Sequence, residues 1–180
     1  YRKESIIEVA IFRYDGHVVT DQFISLVNPE SEITPFVQKL TGITNKMVKT
    51  APKFHEIAKR IVEITDGTTL VGHNIDFDYR MLRQSFKKLG YDFKINTLDT
   101  IPLAKKLIPE EGSYSLGKLC KSIGIPLVDE HRASGDARAT LELFKLLKTK
   151  DNSKEIIQQH HEESNANNYI NKIKSLTQDL

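Results

Sequence analysis

The sequence predicts an α/β fold in which helices flank a mixed β-sheet, and two observations indicate this class. The first part of the chain carries two runs rich in apolar and β-branched residues on either side of an Asp-Gly turn, a pattern typical of an antiparallel hairpin. The later part alternates short β-rich runs with segments of helical periodicity. A chain of 180 residues is long enough for one domain with a sizeable core and an appendage.

The predicted hairpin pairs strands at residues 5–12 and 18–27 through the turn Tyr14-Asp15-Gly16-His17. A first helix is expected to begin at Thr34-Pro35, because proline is favoured in the first turn of a helix. The glycine in Leu40-Thr41-Gly42-Ile43-Thr44 is expected to interrupt this helix with a turn.

An amphipathic helix is predicted over residues 51–65, where apolar side chains recur near the 3.6-residue period. A strand at residues 68–72 then leads into a helix at residues 77–89. The polar residues between them fall at the carboxyl end of a strand, which is where ligands bind in open α/β sheets. The remaining predicted elements are a strand at 95–98 and helices at 100–107, 113–123 and 133–147.

The composition excludes several classes of site. Cys120 is the one cysteine, so an internal disulfide and a cysteine-based zinc site are excluded, and its place in an apolar stretch predicts a core thiol. A net charge of +2 does not by itself indicate a nucleic-acid-binding protein. The chain has no apolar run of the roughly 18 to 20 residues that a bilayer requires, so no membrane partner is expected and a cytoplasmic location is the default.

The composition changes after Lys150. Residues 151–180 are rich in polar side chains and poor in large apolar ones, and we interpret them as a polar linker or peripheral helix outside a main domain at residues 1–150. His160 and His161 are adjacent in this segment. Neighbouring positions on a helix point in different directions, so this pair is expected to lie on the surface rather than to bind a metal.

Two short patches carry the candidate chemistry, because together they supply carboxylates and histidine. Asp78 and Asp136 are the candidate metal ligands, although each alone is explained by the preference for acids in the first turn of a helix. His131 precedes Asp136 by five residues across small side chains, which allows a loop histidine to fold back over the carboxylate. The patches read His73-Asn74-Ile75-Asp76-Phe77-Asp78 and His131-Arg132-Ala133-Ser134-Gly135-Asp136-Ala137.

Both patches resemble the second and third motifs of the DEDDh 3′–5′ exonucleases, the family of the proofreading epsilon subunit of bacterial DNA polymerase III. The resemblance implies a ribonuclease H-like fold and two Mg²⁺ (or Mn²⁺) ions held in part by Asp78 and Asp136. It gives His131 the role of general base, which suits an imidazole that titrates near neutral pH. The family spacing His-Asn-x-x-Phe-Asp selects Asp78 rather than Asp76, with Phe77 expected to turn into the core.

The resemblance also suggests residues that meet the substrate. Thr41, Gly42 and Ile43 match a family segment whose backbone and apolar side chain contact the terminal nucleotide, and glycine permits such a close approach. A simple helix-ending turn explains these residues equally well. Asn74 is a further candidate for substrate binding, with a structural role in the turn as the alternative. Asp99-Thr100 also recurs in the family, but a helix cap accounts for it.

The first motif of that family, an apolar strand carrying Asp-x-Glu, does not occur in this sequence. Glu4 and Glu8 are the carboxylates near the start, and Glu8 matches a glutamate of the following strand, so we assign it no catalytic role. Either residues upstream of Tyr1 supply the motif or the protein is an inactive relative, and the first explanation is favoured because both other patches are intact. Residues 1–180 alone are then expected to be inactive, with two neighbouring strands left unpaired along one edge.

The resulting hypothesis is a metal-dependent 3′–5′ exonuclease that hydrolyses phosphodiester bonds at the 3′ end of single-stranded DNA, in proofreading or repair. A DNA polymerase or a fused downstream domain is the expected partner. Two alternatives stay open at this point: an exoribonuclease that trims RNA, and a non-catalytic module that binds nucleic acid or a polymerase.

Overall fold

The computed structural model describes residues 5–151 and 154–162 and has the predicted α/β architecture. The strands are β1 (Glu8–Tyr14), β2 (Val19–Leu26), β3 (Thr69–Gly72) and β4 (Asn96–Asp99). The helices are α1 (Pro35–Thr41), α2 (Asn45–Lys49), α3 (Phe54–Thr65), α4 (Ile75–Lys88), α5 (Thr100–Leu107), α6 (Leu116–Ile123) and α7 (Ala133–Lys150). Residues 155–162 are also helical.

Strands β1 and β2 form the predicted antiparallel hairpin. The Asp15 carboxylate closes its turn by accepting hydrogen bonds from the backbone N–H groups of His17 at 2.7 Å and Val18 at 2.8 Å. Strand β1 continues to Tyr14, two residues beyond the predicted end, because Tyr14 pairs with Val19 after a register shift.

Strands β3 and β4 are parallel, and α4 connects them. The register sets Gly72 opposite Asp99, so both strands end at the same edge. The residues that follow β3 and β4 are therefore neighbours, and this edge carries one of the two candidate patches.

The sheet is divided into two halves in the part of the chain that the structure describes. Its strand pairs are β1 with β2 and β3 with β4, and no described segment forms a strand between them. The single mixed sheet expected from the sequence is thus present as one antiparallel pair and one parallel pair. Helix α7 contacts β1 on one side and both α5 and α6 on the other, so it connects the two halves through side chains.

Two main hydrophobic clusters form the core. The first lies between the hairpin, α3 and α4, and the second lies between β4, α5, α6 and α7. Cys120 is fully buried, which confirms the predicted core thiol. None of the helices in the described ranges combines the length and the apolar character that crossing a membrane requires. The buried members are Val9, Val27, Ile57, Ile61, Leu82, Phe86 and Phe93 in the first cluster, and Leu98, Leu103, Ala104, Leu119, Leu143 and Leu147 in the second.

Helix α4 begins at Ile75, two residues before the predicted start. Ile75 takes the buried side of the first turn, and a residue two positions later lies on nearly the opposite side of a helix. Phe77 is accordingly 46% exposed, with the Arg80 guanidinium 5.3 Å from the centre of its ring. The expectation that Phe77 turns into the core is wrong.

The segment after α7 packs on the domain as far as it is described. Asp151 is buried, and its carboxylate accepts a hydrogen bond from the Ile157 N–H at 3.0 Å. Ile156 and Ile157 pack against the second cluster, which favours a peripheral helix over a linker for residues 155–162. The rest of the predicted tail, residues 163–180, lies outside the described residues.

The two histidines of this segment have separate partners. His160 Nδ1 lies 2.9 Å from the Ile156 carbonyl oxygen, and His161 Nε2 lies 2.9 Å from the Thr69 hydroxyl of β3. The two rings are therefore directed to different neighbours.

The aromatic centre of the first cluster provides a test of the core. The Phe86 ring is stacked on Phe93, with centroids 4.7 Å apart, and meets Phe54 edge to face at 5.0 Å. Because Phe86→Ala leaves a cavity there, we expect it to lower the free energy of unfolding by about 3 to 5 kcal/mol in urea denaturation. Phe36→Ala is the control, since Phe36 is 74% exposed and its loss should change stability by less than about 0.5 kcal/mol. Equal effects of the two substitutions would contradict this description of the core.

Candidate active site

The candidate site begins at the shared carboxyl end of β3 and β4. Asn74 adopts a left-handed conformation, with φ at 66°, and this turns the chain sharply from β3 into α4. The Asn74 N–H donates to the Asp99 carboxylate at 3.1 Å, and the same oxygen accepts from the Ile101 N–H at 2.9 Å. Asp99 therefore caps α5, as the sequence predicted, and also holds the β3–α4 turn.

His73 braces the base of the site. Its Nε2–H donates to the Tyr114 carbonyl oxygen at 2.5 Å, and its Nδ1 lies 2.8 Å from the Thr100 hydroxyl. The Thr100 hydroxyl lies 3.2 Å from the Gly72 carbonyl oxygen. These contacts join the end of β3 to the start of α5 and to the loop before α6.

Asp78 lies in the first turn of α4, and its surroundings disfavour its charge. Its pKa is raised from the ordinary 3.8 to about 6, first because neighbouring protein displaces water from the carboxylate, and then because Asp136 and Asp99 repel it. Repulsion of this kind requires Asp136 and Asp99 each to lie near Asp78. The fold therefore brings together Asp78 of the first patch and Asp136 of the second.

Asp136 lies in the first turn of α7 and is partly enclosed. Burial raises its pKa above the ordinary value, and the hydrogen bond from the His131 N–H, at 3.3 Å, opposes that rise. The nearby carboxylates of Glu130 and Glu8 raise the pKa further. Two carboxylates in such surroundings favour binding of a cation, which would relieve their repulsion.

The loop that carries His131 has an unusual backbone. Asp129 and His131 both adopt positive φ angles, 56° and 68°, which non-glycine residues seldom do. The glycine at position 135 is required by close packing, because a Cβ atom there would overlap the carbonyl oxygens of Val128 and Asp129. The His131 side chain is 49% exposed, and its Nε2 lies 3.9 Å from the Glu130 carboxylate. Its contact with Asp136 is made by the main-chain N–H, while the ring is open to solvent.

The two aspartates have the ligand chemistry that a divalent cation requires, but two carboxylates are too few to form a complete site. Asp78 and Asp136 offer carboxylate oxygen, the ligand type that hard divalent ions prefer. Within the described part of the chain, no three histidine, cysteine, aspartate or glutamate side chains are grouped so that they could hold a metal ion. These two aspartates are thus the part of a metal site that can be identified here.

The other candidate residues take part in local turns. The Thr41 hydroxyl donates to the Val37 carbonyl oxygen at 2.7 Å and accepts from the Ile43 N–H at 3.1 Å. Gly42 ends α1 with φ at 75°, and its backbone is exposed. Ile43 is 1% exposed in a small cluster with Ile33 and Val48, so the expected contact of its side chain with a nucleotide is not possible in this arrangement.

Sequence reasoning missed the part played by Glu8. The structure places Glu8 beside the start of α7, bonded to Arg132, although 124 residues separate the two in the chain. No local spacing rule relates residues so far apart. The one available signal was an acidic side chain in a strand of apolar residues, which is a charge that needs a partner.

The likeness to known proteins agrees with this geometry. The RNase T exonuclease family matches this chain over residues 1–144. The chain belongs to that family. Its members generally depend on divalent metal ions. The match covers both patches, helices α1 to α6 and the larger part of α7.

Relatives of this exonuclease domain include much longer proteins. A PolC-type DNA polymerase III from Caldanaerobacter subterraneus subsp. tengcongensis is 36% identical over 141 residues, covering 78% of this chain and 10% of the relative. A 3′-5′ exonuclease DinG from Staphylococcus haemolyticus is 36% identical over 138 residues, covering 76% of this chain and 15% of the relative. The chain thus spans a small part of each relative and is homologous to 3′–5′ exonucleases.

Solved structures show the same fold. Exonuclease X in complex with 5′ overhanging duplex DNA superposes with a TM-score of 0.65 at 25% identity. The superposition covers 81% of this chain and 84% of exonuclease X, so most of that exonuclease has its counterpart in this domain. This likeness confirms the ribonuclease H-like class expected from the sequence.

The raised pKa of Asp78 predicts how stability depends on pH without metal. The folded protein holds the Asp78 proton more tightly than the unfolded chain, so stability falls as pH rises from about 4 through 6. Asp78→Asn removes this loss. In buffer with a chelator at pH 7.5 we expect it to raise the free energy of unfolding by about 1 kcal/mol, since solvent screens part of the effect, and to give no gain at pH 4.

Asp76→Asn is the matched control, because Asp76 lies in the same first turn but on nearly the opposite side of the helix from Asp78. Urea denaturation at both pH values makes the comparison. Equal stabilisation by the two substitutions at pH 7.5 would show that the burial and neighbouring carboxylates of Asp78 are not responsible, because Asp76 and Asp78 share only the first turn of the helix.

Proposed function

We propose that this exonuclease domain removes nucleotides from the 3′ end of single-stranded DNA during proofreading or repair. The observation that carries the proposal is the convergence of Asp78 and Asp136, from the first turns of two helices that are far apart in the sequence. Repulsion between two carboxylates near the carboxyl end of a parallel strand pair lowers the stability of the fold. Metal-dependent hydrolysis of a phosphodiester requires carboxylates arranged in this way.

Asp78 and Asp136 are the proposed ligands for two Mg²⁺ or Mn²⁺ ions, together with ligands outside the described residues. When bound, such ions supply positive charge for the phosphate and lower the pKa of water. The aspartates then have two tasks: to hold the cations and to orient the scissile phosphate between α4 and α7. Their raised pKa values accord with this role, because cation binding favours the ionised form of each carboxylate.

His131 is the proposed general base. Its ring is half exposed and lies on the loop next to Asp136, so a water molecule bound near that carboxylate is within reach of the loop. A neutral imidazole can accept a proton from such a water near pH 7. Asn74 and the turn at Thr41 and Gly42 are the proposed contacts for the terminal nucleotide, while Ile43 anchors this turn from the core.

DNA is the proposed substrate because the sequence relatives are a PolC-type DNA polymerase III and the exonuclease DinG. The small share of each relative that this chain covers supports a polymerase or a further fused domain as its partner. Both relatives are bacterial proteins, and since the chromosome of a bacterium lies in its cytoplasm, the cytoplasm is the proposed location of the domain.

Removal of either carboxylate tests the site. In the full-length protein with Mg²⁺, we expect Asp78→Asn and Asp136→Asn each to reduce the release of nucleotides from a single-stranded oligonucleotide by about 1,000-fold, since several kcal/mol of charge stabilisation are lost. Asp76→Asn should keep the activity of the wild type. A chelator should abolish activity and added Mg²⁺ or Mn²⁺ should restore it. Full turnover by both Asp78→Asn and Asp136→Asn would refute the proposal.

The substrate preference is tested by competition. Single-stranded DNA and RNA oligonucleotides of the same sequence, each labelled at the 5′ end with a different dye, are mixed and degraded together. We expect shortening from the 3′ end to proceed faster on DNA. Faster degradation of RNA would instead assign the domain to RNA trimming, because the 2′-hydroxyl is the group that distinguishes the two.

A further inference from the structure

Glu8 is an almost enclosed carboxylate, with 5% of its side chain exposed. A buried charge is costly unless ionic partners and hydrogen bonds compensate it. Arg132 supplies that compensation with two parallel hydrogen bonds: Nε donates to one Glu8 oxygen at 3.2 Å and Nη2 donates to the other at 2.9 Å. This forked geometry is the strongest form of an Arg–carboxylate pair.

A third donor comes from the start of α7. The Ala133 N–H donates to Glu8 Oε1 at 2.6 Å. The first N–H groups of a helix lack partners inside the helix, and Arg132, at the N-cap, has no side-chain cap bond of its own. Glu8, in strand β1, therefore caps α7, although the two are far apart in the sequence. With three donors on it, the Glu8 carboxylate is occupied by hydrogen bonds from Arg132 and Ala133.

The contacts to Glu8 lie next to two residues with a proposed role in cleavage, His131 and Asp136. Arg132 directly follows His131, and Ala133 begins the helix turn that carries Asp136. The Asp136 N–H in turn donates to the Arg132 carbonyl oxygen at 3.0 Å. Both side chains in the second patch with a proposed role in cleavage are thus attached to residues that Glu8 holds.

The loop needs such an attachment because its backbone is strained. Asp129 and His131 both have left-handed backbones, which a non-glycine residue keeps only where its surroundings impose them. The direct bond from His131 N–H to Asp136 is long, at 3.3 Å, and that carboxylate has to serve another function. The short contacts to Glu8 are therefore the stronger restraint on this end of the loop.

We infer that Glu8 is a positioning residue, which through Arg132 and Ala133 holds His131 and Asp136 in the arrangement that cleavage requires. The inference rests on the proposed function. Glu8 acts on the rate of the chemical step and not on substrate binding, because it is enclosed and bonded to the start of α7.

Steady-state kinetics of the full-length protein with Mg²⁺ and a single-stranded oligonucleotide test this role. Glu8→Gln keeps the size of the side chain but replaces an acceptor with a donor that faces Arg132. We expect kcat to fall by about 10- to 100-fold, as is typical when a group that orients a metal ligand is lost, with KM changed by less than about twofold. Arg132→Lys should have the same effect, since an ammonium cannot reproduce the fork.

Asp21→Asn is the matched control. The Asp21–Arg60 ion pair, at 2.7 Å, also joins a strand of the hairpin to a helix, but the helix is α3. Its loss should leave kcat at the wild-type value. The double variant, Glu8→Gln with Arg132→Lys, should be no slower than the slower single variant, because both remove one restraint.

The possible results separate this inference from the function on which it rests. Wild-type kcat in both Glu8→Gln and Arg132→Lys, with Asp136→Asn inactive, would overturn the positioning role alone. Full activity of Asp136→Asn would overturn the proposed function. Thermal melting of each variant shows the folded fraction. If Glu8→Gln does not fold, Arg132→Lys decides the matter, and an unchanged kcat per folded molecule in that variant would reduce the pair to a purely structural role.

Discussion

Contacts between side chains, and not backbone pairing, hold the two halves of the described sheet together, and α7 contacts elements of both halves. At its start the helix is bonded to Glu8 of β1. One turn further, the Arg138 guanidinium lies 5.1 Å from the centre of the Phe12 ring of the same strand. Leu143 and Leu147 then join the core cluster that contains Leu98 of β4. The distance between Asp78 and Asp136 therefore depends on how α7 packs between the two halves.

The site illustrates a balance between stability and activity. Asp136 and Asp99 lie close enough to Asp78 to repel it, and protein atoms displace water around the carboxylates of Asp78 and Asp136. The aromatic and aliphatic clusters on both sides of the site offset this cost, because Phe86, Leu103 and Leu143 are among the largest fully buried side chains. Proteins commonly tolerate such local cost where function requires it.

Local signals in the sequence were sufficient for most of the architecture. The Asp15-Gly16 turn, the proline at the start of α1 and the glycine that ends α1 each depend on the conformational preference of one or two residues, and all three occur where expected. The α4 helix was placed two residues late, since the left-handed Asn74 that starts it has no mark in the sequence beyond being an asparagine. That shift is also why Phe77 was assigned to the wrong side of the helix.

The sequence predicts the candidate catalytic residues but not the hydrogen bonds that hold them in place. Asp78, Asp136 and His131 stand in patterns with fixed spacing, and the fold does bring the first two together. The bond from Asn74 N–H to Asp99 and the bonds from Arg132 and Ala133 to Glu8 connect residues that are distant in sequence. Such connections depend on how strands are arranged in space, which hydrophobic periodicity does not specify.

The short helix at residues 155–162 belongs to the folded domain and moves its C-terminal boundary beyond Lys150. The drop in apolar composition after Lys150 suggests a place to cut the gene, yet Ile156 and Ile157 cover the second cluster and His161 bonds to β3. A fragment that stops at Lys150 would expose apolar surface on α7 and its neighbours and would be prone to self-association. The boundary for recombinant expression belongs after this helix, not before it.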